Sequence, residues 1–185
     1  MIPITGDAVS ETSGHVLRLQ TADKREAFDR DLRKFAAEVG QGLAGMQTNA
    51  KKYKQTDIVG SLRVAQDEIA VTEKENHRVV LVVLSDMVNC TQGLRMDKDA
   101  VFQKPDMARQ HATTFAQNMN FDWRSSEIYL GVLESTDLQQ MSSERRDGVR
   151  EFWAEFFHSG GAVRYQFATD GIGQLPKFIN YKEKS

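Results

Sequence analysis

The longest uninterrupted aliphatic run in the chain is Val79-Val80-Leu81-Val82-Val83-Leu84, entered from Arg78 and left through Ser85-Asp86-Met87. Six apolar residues without period-2 alternation are too few for a helix buried on every side. They suit a strand covered on both faces, as in the middle of a parallel sheet packed between helices. The run stops at a hydroxyl and a carboxylate, so Ser85 and Asp86 stand just past a strand's carboxyl end, where open α/β sheets bind ligands. Asp86 is equally the residue type that caps a following turn.

Other periodicities fall around this run. Residues 8–11 and 15–20 read as short extended pieces that could pair as an antiparallel ribbon at a sheet edge. Asp23 with Glu26 is an N-cap pattern ahead of Phe28, Leu32, Phe35, Val39 and Leu43 at helical spacing. This predicts a long amphipathic helix ending near Gly42 and Gly45, then a polar, lysine-rich connection over residues 47–55. Thr56-Asp57 opens a second helix with Ile58, Leu62, Ala65 and Ile69 on one face. Residues 87–104, without clear period, are expected to form a long loop at the strand's carboxyl end.

Pro105 suits the first turn of a helix displaying Met107, Ala108, His111, Ala112, Phe115 and Met119. Residues 128–133 form the next strand, ending at Glu134-Ser135. Ser142 or Ser143 caps a helix bearing Val149, Phe152, Trp153, Phe156 and Phe157, which Gly160-Gly161 terminates. Val163, Tyr165 and Phe167 alternate in a last strand before Thr169-Asp170-Gly171, and residues 174–185 read as a short helix or irregular tail. From residue 56 onward helix and strand alternate. The expected fold is therefore α/β: a doubly wound, mostly parallel sheet with helices on both faces, in one domain over residues 1–185.

Composition narrows the function. With 185 residues, 40% hydrophobic and 27% charged, and a net charge of −2, the chain reads as globular and gives no reason to expect nucleic-acid binding. Lys51, Lys52 and Lys54 read as a solvated loop. The single cysteine, Cys90, excludes an internal disulfide framework and any multi-cysteine metal site. Asn89-Cys90-Thr91 matches a glycosylation sequon, but the opening residues lack the pattern of a signal peptide, so a cytoplasmic location is the default and the sequon is read as chance. No apolar run reaches the roughly 20 residues needed to cross a bilayer. His15, His77, His111 and His158 are isolated, without metal-ligand spacing. No phosphate loop or dinucleotide fingerprint is present. Cys90 has no histidine near it in sequence to activate a thiolate.

Two hydroxyl–carboxylate steps remain, Thr56-Asp57 at a helix start and Ser85-Asp86 at a strand end. Such oxygens are what a hard divalent cation prefers, and loops above a parallel sheet can bring them to one point. Helix capping is the competing role for Thr56 or Asp57.

The stretch Thr-Asp-Ile-Val-Gly-Ser-Leu-Arg-Val-Ala at 56–65, a charged spacer, and Val-Val-Leu-Val-Val-Leu-Ser-Asp-Met at 79–87 together resemble the second half of a von Willebrand factor type A domain. The strand at 128–133, the helix ending Phe-Trp-Ala-Glu-Phe-Phe at 152–157 and Gly-Gly-Ala-Val at 160–163 resemble bacterial members of that family. The resemblance implies a Rossmann-like three-layer fold and a metal-ion-dependent adhesion site. By position Thr56 matches the family's metal-site threonine and Asp86 the acidic residue after the fourth strand. Met87 stands where the family has glycine. The family's Asp-x-Ser-x-Ser motif is absent: Asp7-Ala8-Val9-Ser10-Glu11 and Asp122-Trp123-Arg124-Ser125-Ser126 come near it without matching. On this alignment the chain begins near the family's second strand, shortened or divergent, which would leave residues 79–84 as a hydrophobic edge open to another chain and so to homo-oligomers.

Three expectations follow. The first is a protein-binding module with a degenerate site for Mg2+ or Mn2+ at Thr56 and Asp86, with Ser85, Asp57 and Glu134 beside it and a partner's carboxylate completing the cation's shell. The second is a magnesium-dependent phosphoryl-transfer or hydrolytic enzyme using Asp86 with Glu134 or Asp170. The third is a metal-free scaffold that assembles through the sheet edge or the aromatic helix.

Overall fold

A computed structural model describes residues 1, 2, 4, 24–50, 56–73 and 78–181. The extended pieces expected at 8–11 and 15–20 lie outside the described residues. The chain divides into two compact units, Met1–Val64 and Ala65–Ser185.

In the first unit, α1 (Arg25–Ala50) carries Phe28, Phe35 and Val39 half-buried and Leu32 exposed. It runs through Gly42 and Gly45, where the sequence predicted its end. A glycine terminates a helix by taking a left-handed conformation. Neither residue has a positive φ, so each is merely a weak helix former within the run. The next helix, α2 (Ile58–Glu73), starts after Asp57, whose Oδ1 accepts the Gly60 N–H at 2.9 Å. Ile58, Leu62, Ala65 and Ile69, the face predicted to be apolar, are all buried.

The second unit is an α/β structure. Its strands are β1 (Val79–Ser85), the short β2 (Cys90–Thr91) and β3 (Leu94–Arg95), then β4 (Ser126–Val132) and β5 (Arg164–Ala168). The helices are α3 (Pro105–Met119), α4 (Thr136–Gln140), α5 (Ser143–Ser159) and α6 (Leu175–Ile179). The main sheet has the order β1-β4-β5, and both pairings are parallel. Among the described residues the aliphatic run is paired on one side only, to β4, whereas its composition alone suggested the middle of a sheet and the resemblance an edge. The middle strand is β4, where Ile128, Tyr129 and Leu130 are fully buried, whereas residues 79–82 are half-buried and Leu84 is 38% exposed. An unbroken apolar run reports that a strand has apolar neighbours on both faces; it does not say which of its edges is paired.

The register separates the two faces. Leu81, Ile128 and Tyr165 are aligned, as are Val83, Leu130 and Phe167. Tyr165 stacks on Phe157 of α5, so this face turns toward α5. On α3, Ala108, Ala112 and Ala116 are buried at helical spacing. Their small side chains let α5 pack closely, with Phe115 5.9 Å from Phe152 and 6.3 Å from Phe156 between ring centroids. Phe152, Trp153, Phe156 and Phe157 are completely buried, so the aromatic stripe is core. Met107, assigned from its spacing to the apolar face of α3, is instead 47% exposed.

The opposite face carries Val80, Val82, Tyr129 and Ala168, packed with Leu175 and Phe178 of α6. Glu127 accepts from Arg78 at 2.6 and 3.0 Å and also pairs with Arg164. Arg164 in turn lies over the Phe178 ring at 3.8 Å and the Tyr181 ring at 4.6 Å. Arg78 also donates to the Ile179 carbonyl at 2.8 Å. The short α6 is therefore pinned to the sheet by a charged cluster as well as by Phe178.

Residues 87–104 are not the plain loop expected. They hold the β2–β3 ribbon and a 3-10 turn at Ala100–Gln103. Arg145 of α5, only 9% exposed, donates to the carbonyls of Met96 at 2.9 Å and Asp99 at 3.0 Å and so ties the segment down. Phe102 is buried beneath it. The brief α4, capped by Ser135, has no counterpart in the sequence reading. Ser142, one of the two expected caps of α5, accepts the Arg145 N–H.

Candidate functional site

The three parallel strands bring their carboxyl ends to one edge of the sheet. β1 leads there into Ser85-Asp86-Met87. The Met87 N–H donates to Ser85 Oγ at 3.2 Å, and the Val88 N–H donates to Asp86 Oδ1 at 3.0 Å. Ser85 Oγ lies 3.4 Å from the same Oδ1, to which it donates. Each side chain thus serves the backbone two residues on, the local turn chemistry that short polar side chains favour.

Met87 completes the turn with φ 62°, a left-handed conformation that glycine adopts freely and a long side chain rarely does. Two contacts hold it there. Its side chain is wholly buried, and its carbonyl accepts Trp153 Nε1–H at 2.8 Å. The step after Asp86 is therefore fixed by α5 from below, and Asp86, half-buried, is carried on a rigid turn.

Ser85 is level with Val132 on β4, which sets Asp86 beside Leu133 and one step short of Glu134. Glu134 is exposed. Asp170 follows β5, but its segment turns back across β4: Gly171, at φ 64°, accepts Tyr129 Oη–H at 2.7 Å. A Cβ on Gly131 would stand 2.6 Å from that same carbonyl, so glycine is needed there for the turn to lie on the strand. Of the residues named from sequence, Ser85 and Asp86 form one constellation with Glu134 nearby. Thr56, half-buried, and Asp57, the cap of α2, belong to the first unit.

Hydroxyl and carboxylate oxygens match a hard cation in kind. Among the described residues no group of three His, Cys, Asp or Glu stands together as a metal cluster.

Cys90 offers no ready nucleophile. Burial, with Asp97 beside it, pushes its thiol up to about 12, so the thiolate is scarce near neutrality. Asn89 is fully buried and spends its amide on Thr91 Oγ1 at 2.9 Å and the Leu94 carbonyl at 3.0 Å, which leaves the sequon inaccessible. The Asp122-to-Ser126 stretch lies at the amino end of β4, away from Asp86, and Asp122 is paired with Arg124. A shallow polar hollow of about 430 Å³ adjoins it, lined by Asn120, Asp122, Arg124 and Ser159 among others.

Sequence reasoning missed Trp153 and Arg145 as supports of the strand-end loops. The available signal was chemical: a buried indole N–H or guanidinium needs acceptors, and loop carbonyls are the common supply. Among the described residues no helix is long and apolar enough to cross a membrane. No family model, no curated protein and no solved structure matches the chain.

Proposed function

We propose that the chain is a protein-binding module of the von Willebrand factor type A kind, doubly wound, that presents its strand-end loops to a protein partner. Asp86 is the principal ligand of a degenerate Mg2+ or Mn2+ site. The observation that carries this reading is the Ser85-Asp86-Met87 turn. It holds a carboxylate rigidly at the carboxyl end of a parallel strand, and Met87 adopts the left-handed conformation suited to the glycine that the resemblance expects there.

A second reading, the metal-free scaffold, is favoured by the work Asp86 and Asp57 already do. Each spends a carboxylate oxygen on a backbone N–H, as an ordinary cap would. For an enzyme the described site offers Asp86 and Glu134 as candidate carboxylates but no activated thiol.

Thermal unfolding with magnesium, with manganese and with chelator separates the first two readings. The variants are Asp86→Asn, which keeps the acceptor for Val88 and removes the charge, and Thr56→Ala, at the position the resemblance aligns with the metal-site threonine. A cation that binds only the folded chain raises the midpoint according to its concentration relative to its Kd. A rise in the wild type that Asp86→Asn abolishes is the expected result. An unchanged midpoint would leave the scaffold as the account of the fold.

A further inference from the structure

We propose that residues 169–181 form a strap that opens and closes over the second face of the sheet as one unit, with Glu127 as its latch. The strap stands whether or not a cation binds at Asp86.

After β5 the chain turns back and crosses the sheet on the face away from α5. Three tethers hold it there, and each ends on a backbone carbonyl of the strap. Tyr129 Oη–H donates to Gly171 at 2.7 Å, Arg164 donates to Phe178, and Arg78 donates to Ile179 at 2.8 Å. The two arginines thus reach the carboxyl end of α6, where helix carbonyls run out of intrahelical donors and a cation is favoured. One carboxylate aims both of them. Glu127 is level with Val80 on β1 and with Arg164 on β5, so Arg78, just ahead of β1, Glu127 and Arg164 line one face of the sheet. Glu127 accepts from both guanidiniums and leaves each a further N–H for the strap.

The strap has little to hold it besides these tethers. α6 has 5 residues, far short of the length at which a helix stands alone, and no side chain caps its start. Over residues 172–181 only Phe178 is buried, whereas Tyr129 beneath it is wholly enclosed. A segment secured by one aromatic and a few polar contacts lies at the low end of local stability and opens ahead of the core.

Its opening is felt at the far end of the sheet. When the strap is closed, the Gly171 carbonyl lies against Gly131, where an added Cβ would also meet the Leu84 side chain at 2.7 Å. Leu133 comes within 3.6 Å of where a Cβ on Gly171 would stand. Leu84 and Leu133 flank the Ser85-Asp86 turn and Glu134 in the chain. Glu127 stands 4 residues before Gly131 on β4, about 13 Å along the strand. The strap therefore carries the state of the arginine clamp, at the amino end of the sheet, to the surface beside the strand-end carboxylates.

The test is native-state hydrogen exchange at low urea on the wild type, Glu127→Gln and Tyr129→Phe. Gly173 and Leu175 report one end of the strap and Phe178 and Asn180 the other, since each amide is bonded within the strap. Ile128 and Leu130 report unfolding of the core. In the wild type the four strap amides should be protected, exchange faster than Ile128 and Leu130, and share one opening. Its urea dependence should be the shallower, because lifting the strap exposes less surface than unfolding does. Glu127→Gln should speed all four by about tenfold or more, Gly173 at the far end included, and Tyr129→Phe should likewise speed Phe178 and Asn180. Strap amides that are unprotected in the wild type, or that share the rate and urea dependence of Leu130, would overturn the proposal. So would a response to each variant confined to the amides nearest it, which is the fraying of two separate contacts. Should Glu127→Gln not fold, which circular dichroism reports, Tyr129→Phe decides from the opposite end.

Discussion

Met87 shows how a single residue can be held against its own preference. A left-handed conformation at a non-glycine residue costs of order 1–3 kcal/mol and persists only where the surroundings impose it. Here they are a fully buried side chain and the Trp153 hydrogen bond to the Met87 carbonyl. Met87→Gly relieves the backbone but removes buried methylenes, whose loss costs about 2–5 kcal/mol. A net destabilisation of about 1–3 kcal/mol by urea unfolding is therefore expected. A more stable variant would mean that strain outweighs packing. Trp153→Phe keeps most of the ring and leaves the carbonyl without its donor. Its expected cost is about 1–3 kcal/mol, with the loss appearing first as faster amide exchange at Val88. The sequence made Ser85 and Asp86 legible because a polar step ending an aliphatic run is a local pattern. The conformation of Met87 was not legible, because the group that imposes it lies 66 residues away.

The elements divide in the same way. Helices α2, α3 and α5 follow their periodicity because their apolar faces repeat over several turns, and Pro105 and Ser142 mark their starts. The ribbon of β2 and β3 spans only 2 residues on each strand, too short for any period to show. Gly148 in α5 tests how closely that helix packs. Alanine is the better helix former by about 1 kcal/mol, yet a Cβ at 148 would meet the Phe102 carbonyl at 2.0 Å. The clash is with backbone, so Gly148→Ala should destabilise by more than the propensity gain, which chemical denaturation will show.

The cluster that ties α6 to the sheet has its own pH signature. Arg78 first, and Arg164 with it, hold the Glu127 carboxyl below the usual carboxylate range. A carboxyl whose folded pKa is depressed contributes stability that is present above its unfolded pKa and lost as pH falls through the folded one. Acid titration of the wild type should accordingly lose stability below about pH 4.5. Glu127→Gln should flatten that part of the curve and cost of order 1–3 kcal/mol at neutrality, where two arginines lose a charged acceptor.

Across the second unit, burial predicts a gradient of stability. β4 has paired neighbours on both edges and apolar cover on both faces, whereas β1 and β5 each have one paired edge among the described residues. Hydrogen exchange on dilute protein should find Tyr129 and Leu130 protected at the level of global unfolding, with β1 less so. Equal protection of β1 and β4 would place a further strand on the β1 edge. The sequence by itself determined where α3, α5 and the three main strands of this unit fall, most of the apolar face of each of those helices, and that a hydroxyl and a carboxylate end the first strand, since these depend on spacings of a few residues. The tertiary structure alone decided that β4 takes the centre of the described sheet, that Asp170 is drawn back over β4, and that Met87 is held left-handed. Each of these rests on contacts between residues far apart in the chain, as between Arg78 and Glu127 at a separation of 49, and hydrophobic periodicity carries no record of which distant segment supplies the neighbour.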